Sequence, residues 1–153
     1  MAYDPTADTI REKILDNIET TLRTIIEPAY GSTLTNVVRY IGNDFEVTNY
    51  PAVAIVPGLQ RNDDSRLALI EHTLPITLLL MVRAQNWRQK IERLTADVRV
   101  ALLSDYTRGG VALTTRHTGD EVFDSEPSSP LGAAQVNLDV LFRTLYHDPG
   151  AAQ

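Results

Sequence analysis

The stretch that decides the fold is Leu74-Pro-Ile-Thr-Leu-Leu-Leu-Met-Val-Arg83, which is followed closely by the segment Trp87 to Leu103. Within the first stretch, one set of apolar side chains recurs with a period of two: Leu74, Ile76, Leu78, Leu80 and Val82. In the second segment, another set recurs at helical spacing: Trp87, Ile91, Leu94, Val98, Ala101 and Leu102. These two periods predict a strand and an amphipathic helix that bury their apolar faces against each other.

The size of the chain favours one domain. Its 153 residues are enough to bury about 68–70% of the surface that the unfolded chain exposes, so one core suffices. The absence of cysteine excludes disulfides, thiolate nucleophiles and thiolate metal sites. We therefore predict a single domain over residues 1–153.

Charge and hydropathy narrow the class of function. The net charge of −6, from 14 basic and 20 acidic residues, argues against a dedicated nucleic-acid binder, which needs an excess of Lys and Arg. The N-terminus lacks the basic and apolar regions of a signal peptide, and no apolar run approaches the length of a membrane span. We expect a protein that is made in the cytoplasm and has no membrane contact.

The N-terminal region predicts a first helix over residues 4–28. Thr9 and Glu12 have the spacing of a capping box, Asp4-Pro5 offers an alternative start, and Pro28 with Gly31 would end the helix. Its apolar residues recur at helical spacing and include Ile10, Ile14, Ile18 and Leu22. This pattern predicts a helix that lies across one face of a sheet.

Residues 34–84 read as strands. The runs Asn36–Ile41 and Ala52–Val56 are rich in β-branched residues, and Pro57-Gly58 ends the second run. The return to Leu74 passes through a hydrophilic connection that is longer than a compact hairpin requires. We predict a projecting hairpin arm over residues 59–70.

After the predicted helix at residues 87–104, which Asn86 would cap, residues 111–146 again indicate strands. We expect one strand at Val111–His117 and a short strand near Val122-Phe123 within an acidic connection. Ala134–Tyr146 is expected to be a long last strand that is either central or paired with the central one. Its alternation places one set of side chains on a single face: Val136, Leu138, Val140, Phe142 and Tyr146. Residues 147–153 are expected to be a mobile tail. The prediction is an α+β fold: a mainly antiparallel sheet of about four to six strands, packed by two α-helices.

No motif in the sequence indicates chemistry. The three histidines, His72, His117 and His147, are scattered, and no phosphate-binding loop, nucleophile elbow or calcium-loop spacing is present. We therefore predict no catalytic, cofactor-binding or metal-binding residues, and a protein that is not an enzyme.

The chain resembles the tail terminator (tail completion) proteins of tailed bacteriophages. The matching segments, which span most of the chain, are the following: the helix with Ile10-Arg-Glu-Lys-Ile-Leu-Asp-Asn-Ile18, the strand-to-helix unit from Leu74 to Ala84 with Lys90-Ile-Glu-Arg-Leu94, and the last strand Val136-Asn-Leu-Asp-Val-Leu-Phe-Arg-Thr144.

This resemblance implies a structural virion protein that forms a ring, commonly of six subunits, on the head-proximal end of the tail tube. The ring would end tube polymerisation, join the tube to the neck or head connector, and let DNA pass without specific binding. The candidate polar contacts lie in the arm and in the loop over residues 119–131: Arg61, Asp63, Asp64, Arg66, Asp120 and Glu121. The alternatives are another neck or head–tail joining protein, or a small ligand-binding or enzymatic α+β domain with a pocket between helix and sheet.

Overall fold

A computed structural model describes residues 4–39, 49–66, 68–123 and 130–152, without the side chains of residues 64–66 and 152. The elements in this part of the chain are α1 (Ile10–Leu22), β1 (Asn36–Arg39), β2 (Ala52–Pro57), β3 (Arg61–Arg66), β4 (Leu69–Arg83), α2 (Trp87–Leu103), β5 (Thr114–Phe123), β6 (Leu131–Leu145) and β7 (Asp148–Ala152). The predicted α+β class is confirmed. The predicted strand end at Ile41, Leu67 in the arm, residues 124–129 of the acidic loop and Gln153 lie outside the described residues.

Two long strands form the spine of the sheet. β4 and β6 each contain 15 residues and pair without a break from Leu69↔Leu145 to Arg83↔Leu131. At about 3.4 Å per residue, this ladder is roughly 50 Å long. The strand order is β1-β2-β4-β6-β5, while β3 extends the β4 edge beyond β2, and β7 extends the β6 edge beyond β5. All of these pairs are antiparallel except β1–β2, which is parallel.

Both helices pack on one face of this sheet and share a single core with it. The face comprises the even-numbered positions of the spine that the alternation singles out: Leu74, Ile76, Leu78, Leu80, Val82, Val136, Leu138, Val140 and Phe142, each at most 2% exposed. The predicted apolar stripe of α2 is buried in the same core. The odd-numbered spine positions face the other side, which we call the helix-free face. Leu79 and Met81 on it are half-buried.

Pro75 occupies the one kind of position in a long strand that tolerates its missing N–H. On one edge of β4, β3 pairs up to Thr73 and β2 pairs from Ile76 onward, so Pro75 lies in the gap between them. Its carbonyl still accepts a hydrogen bond from the N–H of Gly58, at 2.7 Å. The proline therefore marks the point where β4 changes partners.

The first helix is shorter than predicted at both ends. Thr9 is its N-cap and its hydroxyl accepts from the N–H of Glu12 at 3.1 Å, which is one of the two bonds of a capping box, while the Glu12 carboxylate pairs with Arg39 instead. Upstream, the Asp4 carboxylate bonds the N–H and hydroxyl of Thr6 and forms a turn instead of a helix. Downstream, the Thr24 hydroxyl donates to the Thr21 carbonyl at 2.6 Å, and this local bond competes with a further helical turn.

The ends of the chain's strands also differ from the prediction. The C-terminal segment, expected to be a tail, forms β7 against the end of β6. The expected short strand at Val122-Phe123 is the end of a continuous β5, which contains a register shift between His117 and Gly119. The arm is part of the sheet, because β4 already begins at Leu69 and pairs there with both β3 and β6.

Candidate assembly surfaces

The structure divides the predicted contact residues into two groups at opposite ends of the spine. Asp63 is opposite Glu71 on β4, which is opposite Arg143 on β6. Glu121 on β5 is opposite Gln135 on β6. These two positions of β6 are eight residues apart, or roughly 27 Å along the strand. The two groups therefore form separate surfaces, which we call the arm end and the acidic end.

At the arm end, charged side chains lie on the helix-free face. Arg61 and Asp63 are exposed and lie opposite Thr73 and Glu71. Beside them, Nε of Arg143 donates to Glu71 Oε2 at 3.0 Å, and Nη2 of the same guanidinium forms an ion pair with this oxygen at 3.0 Å. Asp64 and Arg66 lie in β3, but their side chains are outside the described part of the chain.

A polar cluster stabilises the arm on the opposite face. His72 is 7% exposed, stacks on the ring of Phe142 at 4.6 Å, and lies 2.6 Å from Asn62 Oδ1 through Nδ1 and 2.8 Å from Thr144 Oγ1 through Nε2. Gln60 Nε2 also lies 3.0 Å from Nδ1, so two amide side chains reach this nitrogen while the Thr144 hydroxyl reaches the other. Burial lowers the pKa of His72 below its ordinary value. The cluster links β3, β4 and β6, so the arm is fixed by tertiary contacts.

At the acidic end, Asp120 and Glu121 are both exposed but point to opposite faces of the sheet. Asp120 is opposite Val136 on the helix side, where its Oδ2 lies 3.4 Å from Nε2 of His117. Glu121 and Phe123 lie on the helix-free face, since they are opposite Gln135 and Ala133. The Phe123 side chain is 38% exposed. The acidic end therefore presents a carboxylate and an aromatic ring side by side.

The solvent side of α2 carries a surface that the sequence analysis missed. Ala96, Val100 and Leu103 follow the spacing i, i+4, i+7 opposite the buried stripe, and Val100 is 61% exposed. Arg93 and Arg99 lie on either side of this row. We call Ala96, Val100 and Leu103 the α2 outer stripe. A second count of helical periodicity along the solvent side would have revealed it.

An acidic residue of α2 is buried. Asp97 is 7% exposed, and its Oδ1 accepts from the N–H of Gly31 at 3.3 Å. Next to it, a groove of about 850 Å³ runs between α2, the loop after α1 and the start of β2. Lys90 and Arg93 on its wall are balanced by Glu27 and Glu92, so the groove carries no excess of either charge.

Neither a metal site nor a membrane span is found in the described residues. No group of three or more His, Asp or Glu side chains there is arranged to hold a metal ion. Neither described helix is long and apolar enough to cross a membrane.

Comparisons with known proteins give matches among solved structures alone. No protein-family model matches the sequence, and no match was found among curated proteins. Among solved structures, the chain is similar to a chain of the virion of a native gene transfer agent (GTA) particle, with a TM-score of 0.49 and 9% sequence identity. The alignment covers 87% of this chain and 90% of that chain.

Proposed function

We propose that the protein is a structural virion protein that forms a ring on the head-proximal end of a phage tail tube. In this role it ends tube polymerisation and joins the tube to the neck or head connector. The observation that carries the proposal is the position of the two contact surfaces at opposite ends of one unbroken β4–β6 ladder. The resemblance of the element order to tail terminator proteins supplies the identity of the partners.

The ladder suits a protein that must hold two partners at a fixed distance. Fifteen consecutive residue pairs join β4 to β6, and the helices cover one face of this ladder. A hydrogen-bonded, half-covered sheet resists bending more than a loop or a single helix does, so the arm end and the acidic end keep their separation. One end would contact the tube and the other the connector.

The remaining parts of the proposal follow from that role. The partners are further copies of the same chain, in a ring of six, together with the tail tube protein and the neck or head-connector protein. DNA passes through the ring without specific binding, which an acidic chain favours. The protein acts without catalysis, is made in the host cytoplasm and resides in the virion.

Tube length is the property that tests this function. Purified protein is added to polymerising tail tube protein, and tube lengths and end structures are measured by electron microscopy. We expect shorter tubes with a ring at one end, and no change in the rate of growth before capping. Tubes that grow to the same length with and without an excess of the protein would refute the proposal.

Paired variants separate the two ends. Arg61→Ala with Asp63→Ala alters the arm end, and Asp120→Ala alters the acidic end on the face away from Glu121, while Asp8→Ala changes an exposed carboxylate outside both surfaces. We expect one of the first two variants to lose capping and the other to lose connector binding, with Asp8→Ala behaving as wild type. If the protein binds the connector but never affects tubes, the function is that of another neck protein.

A further inference from the structure

We propose that the α2 outer stripe of one copy binds the acidic end of β5, at Glu121 and Phe123, from a second copy. This inference rests on the proposed ring, because it identifies the contact between neighbouring subunits. The two surfaces match in chemistry, and their placement in the fold makes the contact head-to-tail.

The α2 outer stripe has the composition of an interface centre. The outward row of α2 begins with the exposed polar residues Gln89 and Glu92 and becomes apolar in its second half, where Val100 is exposed and Ala96 and Leu103 are half-buried. Val100 is one of the more exposed large apolar residues in the described chain, at 61%. Arginines on both sides of the row complete the pattern of an apolar centre with a polar rim.

The end of β5 offers the complementary groups. Phe123 presents an aromatic ring that is 38% exposed, and aromatic side chains are common anchors in interfaces. Glu121 is on the same face, two residues away along the strand. Against the α2 outer stripe, the phenyl group of Phe123 would cover Val100. The carboxylate of Glu121 would pair with an arginine beside the stripe.

Arg99 is the rim residue assigned to Glu121. The aliphatic part of Arg93 packs over Gly31, where a Cβ would lie 2.4 Å from Arg93 Cδ, so this side chain is held toward its own chain. Arg99 is exposed and has no ion pair within the described residues. Its guanidinium is therefore the one that is available to a neighbour's carboxylate.

The fold prevents the two surfaces of one copy from meeting. The helix α2 packs on one face of the sheet, whereas Glu121 and Phe123 point from the other face. A contact between two different surfaces is heterologous, so each copy can bind one neighbour through each surface. Repetition of such a contact closes into a ring or continues as a helix.

A mixing experiment tests this arrangement. One variant, Arg99→Glu with Val100→Asp, removes the α2 outer stripe, and the other, Glu121→Arg with Phe123→Ser, removes the β5 surface. Leu59→Ser is the control, since Leu59 is an exposed apolar residue at 84% and lies in neither surface. Masses are measured by light scattering and native mass spectrometry, and circular dichroism verifies that each variant is folded.

We expect each variant alone to associate at least about tenfold more weakly than the wild type, which corresponds to the loss of one interfacial anchor. An equimolar mixture should form a 1:1 pair that grows no further, because only one intact stripe and one intact β5 end remain per pair. Variants that assemble like the wild type, or a mixture that stays monomeric, would overturn the inference.

The same samples distinguish this inference from the proposed function. If the variants still form rings and cap tubes, this contact is wrong and the ring function stands. If the wild type assembles through these surfaces but does not cap tubes, the contact stands and the tail function fails. A wild type that stays monomeric both alone and with tube protein overturns both.

Discussion

The indole of Trp87 lies against the backbone of Gly132, so closely that a Cβ on this glycine would be 2.5 Å from Trp87 Cε3 and 3.1 Å from Trp87 Cβ. This contact joins the first residue of α2 to the start of β6. It sets how near the helix can approach the sheet, and only glycine permits it.

Gly132→Ala should therefore destabilise the protein. The added methyl group meets a rigid ring that is 8% exposed, so the helix must shift, at a cost of about 1–3 kcal/mol. The measurement is the urea midpoint of unfolding. Gly119→Ala is the matched control, because its Cβ meets nothing within 4 Å, and we expect a change within about 0.5 kcal/mol.

The double variant Trp87→Ala with Gly132→Ala tests the mechanism. Without the indole, the alanine at position 132 has room, so adding it to Trp87→Ala should cost little. An equal cost in both backgrounds would show that the glycine is required for another reason.

Arg39 connects the N-terminal helix to the edge of the sheet, and it shares the carboxylate of Glu19 with Arg23, the C-cap of the helix. Arg39 on β1 pairs with Glu12, Asp16 and Glu19, and its Nε donates to Glu19 Oε2 at 3.0 Å. Arg23 donates to the other oxygen, Oε1, at 2.8 Å. The hydrogen bond from Arg23 is the largest cause of a lowered pKa of Glu19, and Arg39 lowers it further.

Because the folded pKa of Glu19 is below its ordinary 4.5, its contribution to stability is present above about pH 4.5 and is lost as pH falls through the folded value. Arg23→Ala should raise the pKa of Glu19, as measured by NMR titration of its carboxyl carbon. Arg11→Ala on the same helix should leave that pKa unchanged. The absence of any shift in Arg23→Ala would contradict this assignment.

Burial of His72 predicts a second pH dependence. Burial lowers the pKa of His72 below 6.5, so the unfolded chain binds a proton more readily than the folded one as pH falls below 6.5. The free energy of unfolding should decrease from pH 6.5 downward until the folded pKa is reached. Unfolding by urea at a series of pH values measures this slope.

His72→Gln should reduce that slope, and it should weaken the attachment of β3, because Asn62 and Thr144 lose their shared partner. His147→Gln is the control, since His147 is exposed. A slope that depends on His147 and not on His72 would refute the prediction.

Arg108 caps the C-terminal end of α2 from inside the protein. It is 1% exposed, and its Nη2 donates to the carbonyls of Leu102 and Asp105. Its φ of 51° places it in the left-handed region, which turns the chain so that the guanidinium reaches these carbonyls.

Arg108→Ala should lower the free energy of unfolding by about 2–4 kcal/mol, because buried carbonyls lose their donor and a cavity forms. Arg116→Ala, at an exposed arginine of β5, should change it by less than about 0.5 kcal/mol. Thermal and urea unfolding measure both. A small effect at Arg108 would mean that water replaces its hydrogen bonds.

The prediction from sequence was accurate where burial follows a simple period. The alternation from Leu74 to Val82 and from Val136 to Phe142 identified the buried face of both spine strands, and the stripe from Trp87 to Leu102 identified that of α2. The Thr9 cap was also predictable, because it depends on residues only three positions apart. The assignment of the contact residues to subunit interfaces stays a prediction.

Positions whose environment depends on distant residues were not predictable. Leu69 and Ile70 fall in the predicted arm, but β6 pairs with both of them and makes them part of a long strand. Asp97 has the periodicity of a solvent residue, but the loop at Gly31 covers it. Neither β6 nor Gly31 is near these residues in sequence, so no local sequence pattern predicts that they are covered.

The sequence by itself determined the α+β class, the two helices and the apolar faces that meet in the core, because hydrophobic burial follows the local period of each element. Only the tertiary structure decided that the charged arm end and the acidic end lie at opposite ends of one ladder, and that Phe123 and the α2 outer stripe lie on opposite faces. The physical reason is strand register: hydrogen bonding between β4 and β6 fixes which residues are neighbours in space.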